Sequence, residues 1–249
     1  MQPGVVGRVD KAGVLLVELF DAEAASVSLS QLLNGANAAA MRSAAGNWEI
    51  VQFATAEEIS PQLWRLTDLL RGQLGTDDAM AAGTQAGADF VLLDEAVAPA
   101  GLLESEMGLL LSWRVGPSGA DLSSANFTTQ AQIGGLRVLL PLSPVHLRAD
   151  RAGDDIRFSW IRRGRIDADK WDGSDIPLGE EREEYRIDIA RPGGAAVRTA
   201  VVAEPSWLYP AAAAGDDFGA LPAEIEVSVR QFSVAAGWGI PAVRRIVLG

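Results

Sequence analysis

Ile225-Glu226-Val227-Ser228-Val229-Arg230 decides the fold class, because apolar and polar side chains alternate along it without a break. In an extended chain successive side chains point to opposite faces, so this stretch buries Ile225, Val227 and Val229 and turns the others outward. The same period recurs upstream. Tyr185, Ile187 and Ile189 alternate with Arg186 and Asp188, and Ile156, Phe158 and Trp160 alternate with Arg157, Ser159 and Ile161. Val145, Leu147 and Ala149 alternate with His146, Arg148 and Asp150, and Ala152-Gly153-Asp154 supplies a turn before the next run. Half-buried strands in succession, bounded by Gly, Pro and Asp, predict an antiparallel sandwich.

The residues framing these strands are more specific. Pro144 precedes the first strand, Trp160 centres the second and Tyr185 opens the third. Leu221-Pro222 leads into the Ile225 strand, and Gly237-Trp238-Gly239-Ile240-Pro241 follows it. Together they resemble a fibronectin type III domain, which implies such a sandwich over residues 142–249. One position departs from the pattern: Ile225 stands where the family carries its corner tyrosine. Burial continues there, but the corner hydrogen bond must be absent or replaced. An insertion from Asp167 to Gly179 lengthens one connection.

Residues 1–141 read as an irregular β-rich domain with short helices, so the chain as a whole is mainly β (all-β). Strands are predicted over 13–20, 47–54, 63–70, 89–93, 108–115 and 135–140. Ser60-Pro61-Gln62 has the chemistry of a hairpin turn. Short helices fit 28–33 and, capped by Thr76 or Asp77, 78–82. Pro141-Leu142-Ser143-Pro144 marks the boundary, and Ala211 to Ala214 reads as a loop.

Composition narrows function mostly by exclusion. Of 249 residues, 33 are acidic and 21 basic, a formal charge of −12. Such a chain lacks the basic face that nucleic acid requires. There is no Cys, which removes disulfides, thiolate metal sites and Cys nucleophiles. No apolar run approaches the ~18–20 residues of a membrane helix, so membrane insertion is not expected. Met1-Gln2-Pro3-Gly4 lacks the basic and apolar regions of a signal peptide. Its run straight into strand-like sequence suggests a piece of a longer protein.

Three sets of stretches, in order, carry a second resemblance. They are Asn47-Trp48-Glu49-Ile50-Val51-Gln52-Phe53 with Trp64 through Thr76, then Trp113-Arg114-Val115-Gly116-Pro117 with Leu139 through Leu147, and last Ser159 through Arg163 with Pro177-Leu178-Gly179-Glu180. The chain in this respect is similar to the C-terminal region of the baseplate hub protein of gene transfer agents and to phage tail-tip host-specificity proteins. The resemblance implies a structural module of a phage-like particle (a virion component assembled in the bacterial cytoplasm). Its partners would be other tail and baseplate proteins, host-surface glycan is an alternative partner, and a homotrimer is implied within the particle. In that family the hydrolase-like domain lies upstream, and nothing here corresponds to it.

No set of residues specifies catalysis, a cofactor or a metal. His146 is the only histidine, and alternation puts it on the solvent face of its strand, so no triad or multi-His site is built around it. Asp167, Asp169, Asp172 and Asp175 crowd one loop, but Trp171 stands at a ligand position of the calcium-loop pattern and its glycine comes one place late. A solvated acidic loop accounts for them. Of seven Trp, Trp48, Trp64, Trp113 and Trp160 fall within strands and are expected in cores. Trp171, Trp207 and Trp238 lie in or beside loops and are the candidate ligand contacts. Arg157, Arg162, Arg163 and Arg165 are expected to pair across strands with Glu180, Glu181, Glu183 and Glu184.

Overall fold

A computed structural model describes residues 1–4, 6–165, 176–220 and 222–248. The chain divides into two compact units, Met1–Ala98 and Pro99–Gly249. Both are built mainly of antiparallel strands.

In the first unit β1 (Leu15–Glu18), β2 (Ala38–Arg42), β3 (Trp48–Ser60), β4 (Leu63–Gln73) and β5 (Phe90–Leu92) form one sheet in the order β1-β4-β3-β2-β5. The β3–β4 hairpin closes through Pro61-Gln62, where proline presets its own φ and Gln62 takes the left-handed φ of 66°. Leu15, Val17, Met41, Val51, Phe53, Leu66 and Leu69 pack together as its core. The helix α1 (Leu29–Leu33) starts at a capping box: the Gln31 N–H donates to Ser28 Oγ at 3.3 Å, and the Ser28 N–H donates to Gln31 Oε1 at 2.9 Å. The helix α2 (Asp77–Ala81) follows Thr76, whose hydroxyl is used elsewhere. It accepts from Ile50 N at 2.9 Å and donates to Gln73 O at 2.7 Å, which ties the start of β3 to the end of β4.

The second unit opens with β6 (Leu110–Val115) and β7 (Thr128–Ile133), a separate two-stranded ribbon. The sandwich follows from β8 (Val145–Ala152), β9 (Asp155–Ile161), β10 (Tyr185–Ala190), β11 (Ala196–Val202), β12 (Ser206–Tyr209), β13 (Glu224–Ser233), the two-residue β14 (Gly237–Trp238) and β15 (Ala242–Val247). One sheet runs β12-β9-β8; the other runs β11-β10-β13, with β14 and β15 also paired to β13. This is a fibronectin type III-like division, and side chains of both sheets share one core that includes Phe158, Trp160, Tyr185, Ile187, Val227 and Val229. Each buried aromatic removes ~150–250 Å² from water, which makes these rings the main source of the sandwich's stability.

Three local readings are corrected. Residues 135–140 are not a strand but hold a short 3-10 turn at Leu136–Leu139. Gly135 has a φ of 83°, and a Cβ there would sit 2.6 Å from Met107 Cγ, so the chain turns where extension was expected. Ala211 to Ala214 open a helix, α3 (Ala211–Phe218), not a loop. Alanine has the best helix propensity, and Ala214 and Phe218, four apart, both reach the sandwich core. At His146 the strand is not regular either. Its φ is 54° and the β8–β9 register shifts between Val145 and Arg148, a bulge that leaves the imidazole exposed.

Candidate interaction surface

The β6–β7 ribbon is the least covered structure in the second unit. Its register runs from Leu110 opposite Ile133 to Val115 opposite Thr128, and the Gly108 N–H extends the ladder to Gly134 O at 3.0 Å. At the far end the Phe127 ring lies on Gly116, where a Cβ would come within 2.4 Å of the ring. The Arg114 guanidinium sits 5.3 Å from the centre of that ring. In the connecting loop the Ser123 hydroxyl donates to Asp121 at 2.5 Å and the Ser123 N–H at 2.8 Å. The hydroxyl bond, with the backbone bond second, holds the Asp121 carboxyl below its usual pKa.

Among the described residues β6 and β7 pair only with each other. Leu110 is 67% exposed, Val115 69%, Ile133 58% and Leu122 69%. Leu110 and Ile133 are cross-strand neighbours on one face, whereas Val115 lies at the other end on the opposite face, and an isolated two-stranded hairpin is marginal in water.

The tryptophans fall differently from expectation. Trp171 and the four aspartates beside it lie outside the described residues. Trp207 is the second residue of the strand β12, beside a loop, and stacks on Tyr209 at 5.2 Å and Phe158 at 6.1 Å. Trp238, in β14, is half-buried edge-on against Phe232 at 5.0 Å, and the Arg182 guanidinium sits over Phe232. Trp160 is in the core as expected, whereas Trp48 is displayed on the surface of β3. The Arg42 guanidinium lies 5.7 Å from the Trp48 ring and 3.5 Å from Asp89.

The Arg and Glu clusters pair, but not across neighbouring strands. Arg165 meets Glu180 at 3.0 Å and Arg162 meets Glu183 at 4.0 Å. These residues flank β9 and β10, which belong to different sheets. Arg163 donates to Ser143 O at 2.8 Å.

Two polar groupings were not read from the sequence. Glu49 on β3 and Arg71 on β4 form a fully buried bidentate pair, with Nε to Oε1 at 2.6 Å and Nη2 to Oε2 at 2.8 Å. Glu49 also accepts the Gly72 N–H at 3.1 Å. Its signal was available: Glu49 shares the alternation of Val51 and Phe53, which puts a carboxylate on an inward face. The second grouping joins β12, α3 and β11. Tyr209 donates to Asp217 Oδ2 at 2.5 Å, and Arg198 grips both carboxylate oxygens at 2.5 and 2.8 Å. The Arg198 hydrogen bond holds the Asp217 carboxyl below its usual pKa, and burial, with the Asp217 bond second, pushes the Tyr209 hydroxyl above its own. This tie supplies the hydroxyl anchor that Ile225 cannot. Tyr185 is anchored likewise, donating to Glu183 at 2.6 Å, and burial pushes its hydroxyl well above the ordinary range.

Fold and surface together define a mainly β protein with an exposed two-stranded ribbon. Among the described residues no three His, Asp or Glu side chains converge to hold a metal ion, and no helix is long and apolar enough to cross a membrane. A family model described as "Rcc01698-like, C-terminal" matches residues 1–91. No curated protein matches the chain. Among solved structures it is similar to the crystal structure of a beta-1,2-glucanase from Parabacteroides distasonis at 13% identity and a TM-score of 0.25, over 94% of this chain and 26% of that one. The chain thus spans about a quarter of that enzyme's length, and a likeness this weak carries no argument about activity.

Proposed function

We propose that this chain is a structural assembly module of a phage-like tail tip or gene transfer agent baseplate, near the end that meets the host, and that it catalyses nothing. The observation that carries the reading is the β6–β7 ribbon, which displays Leu110, Val115 and Ile133 and pairs with no other strand among the described residues. An arm of this kind is stabilised when a neighbour covers it. Those neighbours are other tail and baseplate proteins, with a homotrimer at the particle axis. The order of the stretches from Asn47 to Glu180 supports the same reading by resemblance.

The test is a pull-down from a particle-producing lysate with wild type and with Leu110→Ser/Ile133→Ser. Tail-tip proteins identified by mass spectrometry should be recovered with the first and lost with the second, at unchanged melting temperature. Equal recovery with both overturns the reading. So does turnover of peptidoglycan or lipopolysaccharide that vanishes when an acidic pair is replaced.

A second reading, contact with a host-surface glycan, rests on Trp48. Its exposed ring beside Arg42 and Asp89 offers a stacking face with hydrogen-bonding groups at its margin. Loss of glycan-array binding in Trp48→Ala, with the ribbon intact, would favour it.

A further inference from the structure

The sheet of the first unit has an open seam. Its edge strands β1 and β5 stand at opposite ends of the strand order, yet Val14–Val17 and Phe90 line one groove of about 210 Å³, with Thr84 to Ala88 beside them and Met1 and Met41 also at its wall. The sheet therefore curls until its two edges face each other without pairing.

Backbone direction can be read along β1. The Leu19 N–H donates to Gln62 O at 2.9 Å, on the β4 side. Backbone groups alternate sides along a strand, so Val17 and Leu15 also address β4, and Leu16 and Glu18 turn their N–H and C=O groups into the seam. On the opposite bank Thr84 already accepts a strand-like partner. Its N–H donates to Met1 O at 2.8 Å, and the Met1 amino group donates back to Thr84 O. Thr84 Oγ1 is itself buried without a hydrogen-bond partner.

The occupant's chemistry follows from these banks. A strand can pair with the unpaired N–H and C=O groups of the β1 edge and presents only alternate side chains to the groove. Leu15 and Val17 face inward, so the inward residues of the guest must be apolar. The first unit carries thirteen acidic and five basic residues, a formal charge of −8, with Glu18 on the open edge itself. Opposite charges on facing strands attract, so the outward residues of the guest are Lys or Arg.

We propose that the seam between β1 and β5 accepts an extended, basic segment of a partner protein as an added strand. Strand addition of this kind draws affinity from main-chain hydrogen bonds and specificity from alternate side chains. The inference stands apart from the particle role, since it needs only the first unit's edges.

The probe is a fluorescein-labelled ten-residue peptide of alternating Val and Lys, with a copy N-methylated at every second residue so that its side chains stay the same. The full chain should bind the first and not the second by fluorescence anisotropy. The Leu16 and Glu18 amides should exchange at least about tenfold more slowly when the first is bound. Leu16→Pro should abolish binding, since it removes an N–H from the open edge and leaves the β4 ladder intact. Glu18→Lys, an exposed substitution that folding tolerates, should weaken binding at least about tenfold. Equal binding of the methylated peptide, or no binding of either, overturns the proposal. Concentration-dependent protection of the Leu16 and Glu18 amides without peptide overturns it as well, because the guest would then be a second copy of this chain.

Discussion

The sandwich and the curled sheet cover their strands by opposite means. In the sandwich two sheets face each other, so large aromatics fill the middle and polar atoms are tied off at the rim, as at Tyr209 with Asp217 and Tyr185 with Glu183. The single sheet of the first unit has no facing layer of strands. Its largest fully buried side chain is Arg71, neutralised by Glu49 under the N-terminal segment, where Gln2 O also accepts from Arg71 at 3.4 Å. A second sheet lets apolar alternation alone make a core; without one, a charge pair fills part of the space and brings a dependence on exact pairing.

The comparison can be broken most severely at its two centres. Trp160→Ala should cost the sandwich ~3–5 kcal/mol, the usual loss for a buried large aromatic. A denaturant-melt loss under ~1 kcal/mol would remove Trp160 from the core. In the first unit Arg71→Met should cost a similar ~3–5 kcal/mol, because Glu49 is left buried and unpaired. Glu49→Leu/Arg71→Met together should recover most of that loss. If the double variant is as unstable as the single, the pair is more than mutual compensation.

A smaller effect sharpens the account of the sandwich rim. Asp217→Asn should cost ~1.5–3 kcal/mol at pH 7, the range for hydrogen bonds to charged groups. The folded-state pKa of Asp217 is depressed, so its stabilisation is complete above the unfolded value near 3.8 and is lost as pH falls through the folded value. Wild type should therefore lose more stability than the variant on acidification below pH 4, and parallel acid titrations would contradict this. The smallest expected effect is at the bulge: His146→Ala should change stability by no more than ~0.5 kcal/mol, as at most surface positions. A large loss of binding in this variant would give the imidazole a role that its exposure does not suggest.

Legibility followed burial. The runs at Ile156 and Ile225 were plain in the sequence because one face of each strand is buried and the other is less so. The Tyr185 run was plain because its outward positions are Arg186 and Asp188, although Asp188 is itself buried. The strand β7, Thr128–Ile133, buries nothing, so Thr-Thr-Gln-Ala-Gln-Ile carried no period to read. Alanine runs were ambiguous in themselves. Ala38 to Ala40 lie in a strand because β3 and β5 flank them, whereas Ala211 to Ala214 form a helix because Phe218 can then reach the core. The candidate surface was the least visible part. Display of a side chain depends on what fails to pack against it, and the sequence near Leu110 reads like any half-buried strand.

The Glu49–Arg71 pair also bears on how the first unit reaches its alignment during folding. The strands β3 and β4 are 13 and 11 residues long, and a hairpin of that length offers many near-matching ways to zip. A slip of one residue turns every side chain of a strand to the other face. In such a slipped form Glu49 keeps its inward place while Arg71 points out, and an unanswered buried carboxylate costs ~3–5 kcal/mol. Apolar residues at both positions would penalise the slip far less. The pair therefore acts as error correction: a mis-zipped hairpin comes apart and tries again, and the unit trades some ease of folding for arriving at a single register.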